Sequence, residues 1–331
     1  MTKLRVTLAC GDYDRTRPLA DGTVQVEGVE LNYITLGPEE TFWRMEHFEE
    51  FDVSEMSFGA YTVHRGHGEN RFIAIPVFPS RAFRHNAIYV YSGAGIERPE
   101  DLKGKRIGVP EYNVTAAVWM RGMLQHEYGV SPSDVRWYQG GLHDPGRREK
   151  VMGTLPPGVS IEPLPEGRTL NDMLERGELD ALMVPRMPRA FVEGSPNVRR
   201  LFPDYRAVEQ EYFRKTGLFP IMHTIVIRTE VYEANRWLAE SLFKAFVRAK
   251  EACASAMTLN TAALPYMLPW MMDELEQTRR IMGRDYWPYG LEANRLPLTT
   301  FGQYAVEQGL TTTQLPLESL FAAPTLEEFK V

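Results

Sequence analysis

Residues 101–115 constrain the fold more than any other stretch of the chain. They read Asp-Leu-Lys-Gly-Lys-Arg-Ile-Gly-Val-Pro-Glu-Tyr-Asn-Val-Thr. A polar turn, Asp101 to Lys105, leads into a short buried strand, Arg106 to Val109, which Pro110 breaks. A helical pattern starts near Asn113 and runs to about His126. A helix that begins directly after a strand turns free backbone N–H groups and the positive end of its dipole towards a crevice. Such a crevice suits an anion, above all a carboxylate.

The rest of the sequence bounds what can surround that crevice. The chain has 331 residues, 44% hydrophobic and 24% charged, an ordinary globular composition. That length suits two lobes better than one core, since single cores stop growing near ~250–300 residues. A net charge of −7 argues against nucleic acid or an anionic membrane as partner, because either wants a basic surface. No apolar run approaches the ~20 residues of a membrane span. Cys10 and Cys253 give neither zinc spacing nor a disulfide framework and read as reduced thiols. Thr7-Leu8-Ala9-Cys10 has the outline of a lipoprotein cleavage site, but the apolar stretch is short and carries Arg5. It reads better as a first strand, and the expectation is a cytoplasmic protein.

Strands and helices alternate along the chain, which predicts an α/β fold. Strands are expected at 4–10, 29–36, 52–56, 72–77, 87–91, 106–109, 135–138, 179–184 and 221–227. A helix opening at Pro38-Glu39-Glu40 carries Phe42, Met45 and Phe48 at helical spacing. Further helices are expected after Ser57, at 169–176, and at 230–257, where Leu238, Leu242, Phe246 and Ala249 form an apolar stripe. The Pro- and Gly-rich segment 153–168 reads as a loop. Two crossings, near 85–92 and 219–226, divide the chain into one lobe of 1–92 with 220–331 and a second of 93–219. A cleft between such lobes can close over a small molecule.

Several motifs then converge. Leu8-Ala9-Cys10-Gly11-Asp12-Tyr13-Asp14-Arg15-Thr16 resembles the start of the 4,5-dihydroxyphthalate decarboxylase family. So do Ile75-Pro76-Val77-Phe78-Pro79-Ser80-Arg81, Phe83-Arg84-His85 and Gly108-Val109-Pro110-Glu111-Tyr112. Pro165-Glu166-Gly167-Arg168-Thr169-Leu170 and Pro220-Ile221-Met222-His223-Thr224 extend the resemblance, which runs from about 3 to about 255. The pattern at 101–109 alone is shared by many solute-binding proteins; the combined set is far more specific. The resemblance implies a two-lobe type II periplasmic-binding-protein-like fold, with a central ligand cleft, used as a cytoplasmic aromatic-acid decarboxylase.

Candidate site residues follow from the motifs and from chemistry. In this fold the loop after the first strand faces the cleft, which brings in Asp12, Tyr13 and Arg15, whose guanidinium can fork onto a carboxylate. Ser80, Arg81, Arg84 and His85 precede a crossing, and their cations suit a dianionic aromatic ligand, with Phe78 and Phe83 more at home in the core. Glu111, Tyr112, Asn113 and Thr115 lie at the start of the second-lobe helix, Asn113 as a candidate N-cap. Ser57, Arg186 and His223 end or begin strands. His64 and His67 form an H-x-x-H pair near Glu69, but Gly66 and Gly68 weaken a helix there, and no metal is expected. Walker, nucleophile-elbow and dinucleotide motifs are missing, so no cofactor is expected.

The leading expectation is decarboxylation of a dihydroxylated aromatic dicarboxylate. In 4,5-dihydroxyphthalate each carboxyl is para to a hydroxyl, so protonating the carboxyl-bearing carbon makes a cation that the para oxygen stabilises. Loss of CO2 restores aromaticity and gives protocatechuate. His85, His223 and Glu111 are the candidates for proton transfer, and Arg15, Arg81 and Arg186 for anchoring. The expected partner is a small aromatic carboxylate, with a homo-oligomer left open. A solute-binding protein for such a carboxylate is the alternative, and so is another enzyme on the same scaffold.

Overall fold

Buried apolar strands build two sheets, and the chain passes between them twice. The computed structural model describes residues 2–148, 154–259 and 266–326. The first four strands are β1 (Leu4–Cys10), β2 (Val29–Thr35), β3 (Val53–Ser57) and β4 (Phe72–Ile75). In β1 the side chains of Val6, Leu8, Ala9 and Cys10 are buried, as the β-branched and apolar run predicts. Six further strands follow: β5 (Ile88–Tyr91), β6 (Arg106–Val109), β7 (Arg136–Gln139), β8 (Ile161–Pro163), β9 (Ala181–Met183) and β10 (Val198–Arg200). The last, β11 (His223–Arg228), returns to the first group. The first sheet has the order β2-β1-β3-β11-β4 and the second β10-β5-β9-β6-β7-β8. Strand β1 runs parallel to β2 and β3, while β11 is antiparallel to β3 and β4.

Strand β5 pairs with β9 and β10, so it belongs to the second sheet, although the sequence reading places it in the first lobe. The first crossing therefore precedes Ile88. The two crossing segments run antiparallel beside each other: Arg81 bridges Ile221, Ala82 N–H donates to Pro220 O, and Met222 N–H donates to Ser80 O.

The secondary structure departs from expectation at several points. The helix Pro38–Phe48 buries Met45, but Phe48 is 61% exposed and stacks edge-on with Trp43, outside the core. The single helix expected over 230–257 is two, Thr229–Ala234 and Trp237–Leu259, because Asn235 leaves the helical region at φ −144° and ψ 63°. Within the loop expected at 153–168, residues 161–163 add strand β8, and residue 153 lies outside the described residues.

The C-terminal part packs across both sheets. Ala322 N–H donates to Ala74 O on the first sheet. The helix Arg295–Glu307 instead packs on the second-sheet helix Thr115–Tyr128, where a Cβ on Gly122 would lie 2.1 Å from the Tyr304 ring. Only glycine permits that approach. Arg121 Nε donates to Gln308 Oε1 at 2.8 Å and reinforces the contact.

Candidate active site

A cavity of about 570 Å³ opens between the two sheets. Its first wall carries Phe42 and Glu46 from the 38–48 helix, with Ser57 and His223 from the ends of β3 and β11. Its second wall carries residues 110–116, the loop 141–147 after β7, and Pro185-Arg186 after β9. Arg84 enters from the crossing.

The helix Thr115–Tyr128 opens its first turn onto this cavity through Thr115 and Ala116. Its N-cap is Val114 with no side-chain cap, so Asn113 does not cap it as the sequence suggests. Asn113 instead lines the cavity, 8% exposed. Thr115 Oγ1 accepts from Gly59 N–H at 2.9 Å and meets Ser57 Oγ at 2.8 Å, joining the two walls at the back of the cleft.

On the first wall, His223 Nδ1 lies 2.5 Å from Glu55 Oε1. The Glu55 side chain is fully buried and accepts from Gly11 N–H at 2.9 Å and from the Tyr13 hydroxyl at 2.8 Å. Burial pushes its carboxyl up, but the His223 charge and hydrogen bond, with the Gly11 and Tyr13 donors, outweigh it and hold Glu55 below the ordinary carboxylate range. Burial and the Glu55 charge push the Cys10 thiol and the Tyr13 phenol up, so both stay protonated. An ionised Glu55 accepts the Nδ1 proton and leaves His223 Nε2 without a hydrogen-bond partner among the described residues. Phe42 packs edge-on against the imidazole at 4.9 Å.

Arg84 is the second focus. Nε donates to Met222 Sδ at 3.2 Å, and among the described residues the terminal nitrogens have no hydrogen-bond partner. Burial draws its guanidinium down to about 10, offset in part by Glu209. A desolvated cation whose terminal nitrogens meet no acceptor among the described residues favours an anionic ligand. Two more arginines, Arg147 and Arg186, face the cavity but reach carboxylates of the chain, Glu111 and Glu39.

Of the residues singled out in the sequence, Ser57, Arg84, Glu111, Asn113, Thr115, Arg186 and His223 line the cavity. Asp12, Tyr13, Arg15, Ser80, Arg81, His85 and Tyr112 do not. Asp12 is exposed and pairs with Arg17. Tyr13 stands behind the wall, on Glu55. Arg15 is spent on Pro79 O and Asp14 and lies between the Tyr13 and Trp287 rings, 4.4 and 4.1 Å from their centroids. Ser80 acts through its carbonyl, which accepts from Met222 and His223 N–H. Arg81 is 6% exposed and bonds Phe219 O, Pro288 O and Asn294 Oδ1, so it ties the crossing to the C-terminal part. His85 is 1% exposed between Phe202 and Tyr212, and burial lowers it to about 4, so it is neutral and stands outside the cavity lining. Tyr112 lies in the core under Arg121, 3.5 Å from its ring centroid.

Glu55, Glu39, His143 and Arg147 were not anticipated. A glutamate between Val53 and Met56, inside an expected strand, is the available signal, because a strand buries a carboxylate only with partners. His143 lines the cavity, and its Nδ1 is buried without a partner among the described residues. His64, in contrast, is held by Glu46 and Glu69, each at 2.7 Å, and no metal-holding group occurs among the described residues.

Two sheets joined by a double crossing around one cleft define a binding-protein architecture. Solved structures agree. The periplasmic aliphatic sulphonate binding protein SsuA from Escherichia coli matches with a TM-score of 0.53 at 13% identity, over 98% of this chain and 99% of that one. A periplasmic sulfonate-binding protein SsuA from Methylobacillus flagellatus KT gives 0.52 at 12% identity, over 97% and 92%. Residues 82–144 match the NMT1/THI5-like family. The 4,5-dihydroxyphthalate decarboxylase of Comamonas testosteroni is 43% identical over 331 residues, the whole of both chains. That of Pseudomonas putida is 46% identical over 214 residues, 65% of this chain and 83% of its own. The chain belongs to the 4,5-dihydroxyphthalate decarboxylase family. No helix among the described residues is long and apolar enough to cross a membrane.

Proposed function

We propose that this protein decarboxylates 4,5-dihydroxyphthalate to protocatechuate in the cleft between the two sheets. The observation that carries the reading is the pairing, in one cavity, of Arg84, whose terminal nitrogens have no hydrogen-bond partner among the described residues, with an imidazole backed by a buried carboxylate, His223 on Glu55. Arg84 holds the carboxylate that is kept. In its imidazolium form His223 donates Nδ1–H to Glu55 and delivers the Nε2 proton to the ring carbon bearing the other carboxylate. The new C–H bond takes two ring electrons, and the para oxygen stabilises the resulting cation. The C–C bond then breaks, its electron pair restores the aromatic ring, and CO2 departs. His143 and the first turn of the 115–128 helix offer polar contacts to the phenolic oxygens. The two sheets serve as lobes, split before Ile88 and near residue 220, that close over the ligand.

The test is direct. Purified protein with 4,5-dihydroxyphthalate should release one CO2 for each protocatechuate formed, and Arg84→Ala should raise KM. Release from phthalate, which lacks the para hydroxyl, should be negligible; equal release from both would refute the ring-protonation route.

A further inference from the structure

Of the three arginines that face the cleft among the described residues, two are already occupied by a carboxylate from the opposite wall. Glu39 lies in the first turn of the helix Pro38–Phe48, on the first-sheet side. Arg147 follows β7 and Arg186 follows β9, both on the second-sheet side. Glu39 Oε1 accepts from Arg147 Nη1 at 2.8 Å, and Oε2 lies 3.3 Å from Arg186 Nη2. Arg147 is held in place by Glu111, with Nη2 at 2.7 Å from Oε1. Burial alone would draw its guanidinium down, but Glu111 and Glu39 outweigh this and keep it firmly charged. All four side chains line the cavity. Each oxygen of one carboxylate thus meets a separate guanidinium, the arrangement a ligand carboxylate would adopt there.

We propose that Glu39 is a specificity-determining residue that keeps the Arg147–Arg186 pair from clamping the second carboxylate of a dicarboxylate ligand. The inference rests on the decarboxylase reading above. An ortho-dicarboxylate presents one carboxylate to keep and one to lose. The one to lose must surrender its negative charge: the C–C electron pair moves into the protonated ring and neutral CO2 leaves. Guanidiniums bonded to that group stabilise the ground state more than the transition state and raise the barrier. Glu39 fills those donors, so the ligand is held through Arg84 and its departing carboxylate stays unclamped.

Glu39 is 44% exposed at its side chain, so Glu39→Gln should fold normally. Phthalate and benzoate binding to the full-length variant, measured by calorimetry, reads the proposal without chemistry. Phthalate should bind ~10-fold tighter than to the wild type, the worth of one charge-assisted contact. Benzoate should gain less than ~3-fold, from the loss of one nearby negative charge. Adding Arg186→Gln should remove the phthalate gain. In turnover of 4,5-dihydroxyphthalate, KM and kcat should both fall. A phthalate gain no larger than the benzoate gain, its survival in the double variant, or an undiminished kcat would each overturn the assignment. Absence of CO2 release by the wild type would refute the decarboxylase reading alone, since the phthalate comparison needs no turnover.

Discussion

Glu55 and His223 meet across two antiparallel strands, Oε1 to Nδ1 at 2.5 Å, although their backbones are not directly opposite. His223 pairs with Ser57 and Glu55 with Ile225, so the two side chains are diagonal neighbours on one face of the sheet. The sheet thereby carries a buried negative charge to the edge of the cleft and sets which imidazole nitrogen faces the ligand.

Glu55→Gln keeps the shape of the pair and removes its charge. Turnover should fall by roughly 10- to 150-fold, the ~1.5–3 kcal/mol of a hydrogen bond to a charged group. Phthalate affinity should change little. The sign of the pH effect follows from the depressed carboxyl. Its contribution to stability is present above the unfolded value near ~4.3 and is lost as pH falls through the lower folded value. Acid unfolding of the variant, followed by circular dichroism, should therefore be shallower than that of the wild type.

Arg84→Ala should weaken phthalate binding by about 1.5–3 kcal/mol, and Arg84→Lys should recover only part of it, lacking the planar fork. Thermal stability should hold or rise slightly, because a desolvated cation is removed. Unchanged affinity in calorimetry would contradict the anchoring role.

Arg81→Ala should behave in the opposite way. Its donors serve Phe219 O, Pro288 O and Asn294 Oδ1 in the interior, so truncation leaves buried acceptors unpaired. A loss of about 2–4 kcal/mol in stability is expected, read as a lowered Tm, with ligand affinity nearly intact in whatever fraction folds.

Glu209 supplies a pH signature at the crossing. Its carboxylate accepts from Asn86 N–H at 3.1 Å, and burial raises it to about 7 against the pull of Asn86 and of Arg84 and Arg200. An acid whose folded value is raised binds more protons folded than unfolded, so stability falls as pH rises from about 4.5 to about 7. Glu209→Gln keeps an acceptor for Asn86 and should remove that fall. At pH ~8 the variant should be more stable by about 1–3 kcal/mol. Parallel Tm-against-pH curves for the two proteins would contradict this.

The sequence made local features legible and left long-range ones hidden. Strand β6 and the helix after it were evident because a turn, an apolar run and a proline act within a few residues. Arg81 and Arg84 look alike in sequence, three residues apart, yet one turns inward to Asn294 and the other faces the cleft. What separates them is a side chain 213 residues away, which no local pattern carries. Glu55 was hidden for the same reason: its partners Gly11, Tyr13 and His223 come from two other strands or their ends. Arg15 had the right charge in the right loop, but Tyr13, Trp287 and Pro79 O had already enclosed it.

The most direct measurement is turnover of 4,5-dihydroxyphthalate in D2O by the wild type and by His223→Asn, with phthalate affinity measured beside it. If His223 delivers the ring proton, wild-type protocatechuate carries one deuterium at the vacated carbon. His223→Asn should then lose about 10²- to 10⁴-fold in kcat, the range for general acid catalysis, with phthalate bound as before. Product without deuterium at that carbon, or a His223→Asn variant that turns over at the wild-type rate, would contradict the account.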